Sequence, residues 1–131
     1  MGSLSNYLED ELLDHVFGKG SFTPPTIYVA LSTADPLDSG SGLADPSGNG
    51  YARVQTTGAD WNAASDGAID NANTITFNEA TGNWGTITHF ALMDAASGGN
   101  LLVHGALSIS KSISSGDTVK FAAGDLDVSL D

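Results

Sequence analysis

The stretch Trp84-Gly-Thr-Ile-Thr-His-Phe-Ala-Leu-Met-Asp94-Ala-Ala-Ser-Gly-Gly-Asn100-Leu-Leu-Val-His-Gly-Ala-Leu107 decides the fold. Two apolar runs, Thr86 to Met93 and Leu101 to Leu107, flank a loop of small and turn-forming residues, and this pattern reads as a β-hairpin. Outward from it, the chain repeats the style from Ile27 to Leu130. Thr26 to Ser32 is apolar on both faces, as a central strand is. Tyr51 to Gln55 restarts β structure. Asn73 to Phe77 alternates with Ile75 and Phe77 inward, and Asp117 to Phe121 alternates with Val119 and Phe121 inward. Ser108 to Ser112 continues the hairpin, and Leu126, Val128 and Leu130 close the chain. Seven or eight short strands joined by Gly, Asn, Asp and Ser turns predict a mainly β, single-domain antiparallel β-sandwich, jelly-roll-like, over residues 1–131. Ile27, Val29, Leu31, Ile75, Phe77, Phe90, Leu92, Val119, Phe121 and Val128 are its expected core.

One segment departs from the β pattern. Leu4, Leu8, Leu12 and Val16 recur at helical spacing, and Ser3 or Ser5 is placed to cap a helix over about 3–17. Acids at Glu9, Asp10 and Glu11 suit its early turns, and Gly18, Gly20 and Pro24-Pro25 stop it. Such a helix packs on the core or serves as an arm for a partner. A second irregular stretch, Thr33 to Gly50, holds Asp35-Pro36, Asp45-Pro46 and four glycines. A loop of that length in a small domain is functional or mobile.

The chain has 131 residues, no cysteine, four Lys and Arg against sixteen Asp and Glu, and a formal net charge of −12. That balance argues against nucleic-acid binding, because phosphates require cations to neutralise them. It argues equally against an anionic membrane surface. No apolar run approaches the length of a membrane span. Met1-Gly-Ser lacks the basic region of a signal peptide, and Asn6 stands where a myristoylation pattern has Ser or Thr. Without cysteine, the fold uses no disulfide and no thiolate metal site.

Catalytic chemistry finds no foothold in these residues. There is no nucleophile elbow, and no Ser, His and Asp share a suggestive context. His89 and His104 sit on the two arms of the hairpin, but a third zinc ligand is missing. Asp35, Asp38 and Asp45, or Asp66, Asp70, Asn71 and Asn73, have the chemistry for a hard cation but not the spacing of an EF-hand loop. No catalytic, cofactor or metal residue is therefore assigned. Trp61, Trp84 and Tyr51 are of a type that stacks on sugars, although aromatics in a small β protein chiefly fill its core.

Several stretches together carry a resemblance. They are Leu4 to His15, Phe22-Thr-Pro-Pro-Thr-Ile-Tyr-Val-Ala-Leu-Ser-Thr-Ala-Asp-Pro36, Gly50-Tyr-Ala-Arg53, Trp84 to Phe90, Gly116-Asp117 and Ala123-Gly-Asp-Leu-Asp-Val128. In these, and in their order, the chain resembles a family of small structural proteins of tailed bacteriophages, described as tail-fibre-like or minor head proteins. The resemblance implies a non-enzymatic virion protein, assembled in the host cytoplasm. The leading expectation is a capsid decoration or cement protein on the outer head, a dimer or trimer bridging subunits of the major capsid protein or other virion proteins. The alternative is a tail-fibre or receptor-binding module that contacts host glycans. Contact is expected through Leu4, Leu8 and Leu12 of the helix and through Leu37, Leu43 and Pro46 of the long loop, which should be mobile until docked.

Overall fold

A computed structural model describes residues 2–130. It is mainly β with one helix near the N-terminus, a single domain whose sheet is curled into a half-barrel. In chain order the elements are β1 (Gly2–Leu4), α1 (Asn6–Val16), β2 (Tyr28–Ser32), β3 (Val54–Gln55), β4 (Ala68–Asp70), β5 (Ile75–Thr76), β6 (Gly85–Met93), β7 (Leu101–Ile113), β8 (Lys120–Phe121) and β9 (Asp127–Ser129). The main sheet runs β3-β2-β6-β7-β1-β9-β4, and β5 and β8 form a separate two-stranded ribbon. The pairs are antiparallel except β1 with β9, where Gly2 meets Val128 in parallel.

The hairpin of β6 and β7 is the spine. Phe90 faces Gly105 and Leu92 faces Val103 in one continuous register, and one residue farther the pairing slips, so that Met93 faces Leu101 and Leu102 is left as a bulge. Lower down the register shifts. His89 pairs with Ala106 and Ile87 with Lys111, so Leu107 to Ser110 bulge opposite Thr88. An inserted bulge of this kind bends a strand and increases its twist, which is how one sheet curls enough to enclose a core. The two expected segments Leu101 to Leu107 and Ser108 to Ser112 are thereby one strand with a bulge. Elsewhere the ladders are shorter than the alternation suggests: only Val54–Gln55, Ile75–Thr76 and Lys120–Phe121 pair within the three expected runs.

The concave side of the sheet gathers Val29, Leu31, Ile87, Phe90, Leu92, Val103 and Val128, with Ile75, Phe77 and Phe121 of the ribbon side closing over it. Phe121 links two edge-on ring pairs, with Phe77 at 6.2 Å and Phe90 at 6.3 Å. Tyr51 stacks on Phe77 and meets Trp84 edge-on at 5.3 Å. The intervening residues Ala30, Ala91, Met93 and Leu101 form a smaller cluster on the other face, under Tyr28 and Leu43. Ile27 and Val119, expected in the core, are half-buried: each stands at the mouth of an open cleft.

Two expectations for the N-terminus change. The helix is Asn6–Val16 rather than about 3–17, and Ser5 is its cap: the Ser5 hydroxyl accepts from the Leu8 N–H at 3.2 Å and donates to the Leu101 carbonyl. Leu4, read as the first residue of a helical stripe, lies instead in β1 opposite Val103. Pairing with a waiting strand outweighs local helical propensity there.

Candidate docking surface

α1 leans on the sheet without being absorbed by it. None of its residues is buried. Leu8 and Leu12 are half-buried against the core, whereas Leu13, Val16 and Phe17 are 57%, 73% and 73% exposed. These three form an apolar knob at the C-terminal end of the helix. A soluble amphipathic helix normally turns this much apolar surface into the core.

Between the helix and the arm that runs from Trp61 to Ile69 lies a groove of about 700 Å³. Leu4, Leu8 and Leu12 make one wall, Trp61 and Ile69 the other, and Leu92, Val103 and Val128 the floor. The arm is built from polar fastenings. Trp61 Nε1 donates to Thr56 Oγ1 at 3.0 Å, a bond that fixes the indole in the groove wall. Asp60 accepts the Thr57 N–H at 2.8 Å and an amide proton of Asn73 at 3.1 Å, and those bonds hold its carboxyl below the usual aspartate range. Farther in, buried Asn71 fixes the base of the arm. Its amide nitrogen donates to the carbonyls of Asn73 at 2.8 Å and Ala122 at 2.9 Å, and its oxygen accepts the Leu126 N–H at 2.9 Å.

The long loop is the opposite case, a polar segment closed on itself. Ser32 Oγ accepts the N–H of Ala44 at 3.0 Å and donates to the Ala34 carbonyl at 2.6 Å. Asp35 accepts the Leu37 N–H at 2.9 Å, holding Leu37 at a φ of 64° that leucine rarely adopts. A Cβ on Gly42 would strike the Asp35 carbonyl oxygen, so only glycine permits that crossing. The main fastening is Arg53, whose side chain is 6% exposed. It donates to both Asp45 oxygens, at 3.1 and 2.9 Å, and to the carbonyls of Ala95 and Gly98 in the β6–β7 turn, each at 2.8 Å. Tyr51 donates to Asp45 at 2.6 Å and accepts the Leu31 N–H at 3.0 Å. Burial, then the bond to Asp45, pushes the Tyr51 hydroxyl far above its ordinary value. His104 Nε2 stands 2.7 Å from Asp38, tying the loop to β7.

The candidate residues separate accordingly. Leu4, Leu8 and Leu12 converge on the groove. Of the loop residues, Pro46 is buried and Leu43 covers the smaller cluster, while Leu37 is 48% exposed. His89 and His104 are not opposite each other: His89 pairs with Ala106, and His104 with Ala91. Among the described residues, no three His, Asp or Glu side chains are grouped to hold a metal ion. No helix there is long and apolar enough to cross a membrane. Nothing in the sequence marks Trp61, Ile69 and Leu130 as residues of one groove, because they share no period and meet only in the fold. The role of Arg53 had one available signal: it is the chain's sole arginine, amid sixteen acids.

Residues 3–129 match the model of the family described as podophage GP4 fiber I protein gp80. The chain belongs to that family. It is thus a small bacteriophage structural protein and a virion component, as its resemblance to tail-fibre-like proteins implied. The gp80 fibre family is not a known enzyme family. No curated protein matches the chain.

Proposed function

We propose that this protein is a non-catalytic attachment module of the virion's fibre assembly, joined to a neighbouring virion protein through the groove beside α1. The groove carries the proposal. It is an uncovered apolar surface, next to the exposed Leu13, Val16 and Phe17 of the same helix, on a chain rich in Ser, Thr, Asn, Gly and acids. Leaving such surface in water costs about 25 cal/mol per Å², a loss that docking reverses. The family's description as a fibre protein supports the fibre position. Of the six expected contact residues, Leu4, Leu8 and Leu12 supply the groove wall. Leu37 adds exposed surface elsewhere, whereas Leu43 and Pro46 already have partners within the chain.

A second reading is favoured by a separate observation. The chain has no internal repeat from which a fibre shaft is built, and a compact unit suits a cement protein on the outer head that bridges major capsid protein subunits. Either position accommodates a dimer or trimer made through another face. The glycan-binding form of the fibre reading rests on Trp61, because Trp84 is buried and Tyr51 packs in the core.

The test is to image particles whose copy of this protein carries a small tag, and to count copies per particle. Density at the tail, with a copy number matching a tail component, is the expected result. A copy number tracking the major capsid protein supports the cement reading instead. Absence from the particle refutes both.

A further inference from the structure

Resting on the reading of the groove as an attachment surface, we infer the chemistry of its occupant: an apolar segment of a different virion protein, flanked by lysine or arginine. The groove's two walls come from stretches with charges of one sign. The lining itself is uncharged, and beside it in sequence stand only acids: Glu9, Asp10, Glu11 and Asp14 on α1, and Asp60 and Asp66 on the opposite arm. Residues 2–14 and 58–70 contain no Lys or Arg.

The chain's four cations are all elsewhere. Arg53 is committed to Asp45 and the β6–β7 turn. Lys111 and Lys120 border a separate cleft between β7 and β8. Lys19 lies past the end of α1.

Charge also decides against a second copy as occupant. Two chains of net charge −12 would bring like-charged helices together, and juxtaposed like charges suppress a pairing. A basic-flanked segment gains from the same field, both in encounter rate and in choice of partner. The length of α1 sets the scale. Eleven residues span about 16 Å, enough for three turns of a partner helix or roughly five residues of extended chain.

Trp61 in the groove wall reports occupancy directly. The experiment titrates the full chain with two synthetic peptides that share one five-residue Leu/Ile/Ala core. One core is flanked by lysine pairs and the other by glutamate pairs. Trp61 emission is read in a Trp84→Phe background, and calorimetry on the unmodified chain guards against a fold defect in that variant. The expected result is a blue-shifted Trp61 emission and at least tenfold tighter binding of the lysine-flanked peptide at low salt. The ratio should narrow in half-molar salt as the charges are screened. Leu12→Asp, and independently Leu8→Gln, should abolish binding while the circular dichroism spectrum is unchanged.

Equal affinity for the two peptides, no binding of either, or binding indifferent to both substitutions overturns the inference. So does a concentration-dependent dimer that Leu12→Asp dissolves, since a second copy would then fill the groove. These outcomes concern the occupant. The attachment reading is judged separately, by whether Leu12→Asp and Leu8→Gln proteins still enter particles.

Discussion

The long loop and the helix exchange the roles that their compositions suggest. The loop Thr33 to Gly50 is polar and rich in glycine and proline, yet it is fastened to the rest of the chain. Arg53, Tyr51 and Ser32 hold it at fixed points, and Pro46 is buried. α1 carries an apolar stripe of the kind that fills cores, yet it has no buried residue and borders an open groove. Composition therefore does not identify which segment is spare. A few desolvated polar bonds close a segment that has little apolar material, because unsatisfied buried polar groups cost more than the bonds themselves yield. An apolar stripe without a lid stays available.

The contrast makes quantitative demands. Arg53→Ala should have the largest effect, because it leaves the Asp45 carboxylate without its cation and frees two carbonyls of the β6–β7 turn. A loss of about 3 kcal/mol in urea unfolding is expected, with faster amide exchange across Thr33 to Gly50. A loss below about 1 kcal/mol would mean that the ion pair does not order the loop. Asn71→Ala should follow at about 2 kcal/mol, since it strands the Leu126 N–H and at least two carbonyls at the base of the arm.

Tyr51 gives the same contrast a pH dependence. Its folded pKa is raised, so the unfolded chain releases the proton first as pH climbs past 10. The contribution of Tyr51 is full below pH 10 and is lost above it. Between pH 9 and 11.5 the wild-type chain should lose about 1 to 2 kcal/mol more than Tyr51→Phe. Parallel stability curves for the two proteins would show that the hydroxyl is neither buried nor held by Asp45. Leu12→Ser should have the smallest effect, about 1 kcal/mol or less, because its side chain is only half-buried on an open groove. A loss beyond 2 kcal/mol would place α1 in the core and remove the contrast.

Much of the fold was legible because period-two alternation encodes faces. Ile75, Phe77, Phe90, Leu92, Phe121 and Val128 are buried, as their positions imply. What alternation does not encode is pairing. The bulge at Leu107 to Ser110 depends on which residues of β6 stand opposite, and Leu4 joins a strand only because Val103 is there to receive it. The closing of the loop was equally hidden, since Arg53 draws on carbonyls at Ala95 and Gly98 that no local pattern connects to it. The groove was half legible. Its helical wall showed as a leucine stripe, while Trp61 and Ile69 come together with it only through the sheet order β1-β9-β4.

Hydrogen exchange, compared between the free protein and the same protein on intact particles, tests the central claim most directly. Residues 4–12 and 61–69 should gain protection on the particle, while 33–50, already protected in the free chain, should change little. Protection gained across 33–50 with none at 4–12 or 61–69 would contradict the account, by making the loop the attachment surface and the groove an incidental feature of the fold.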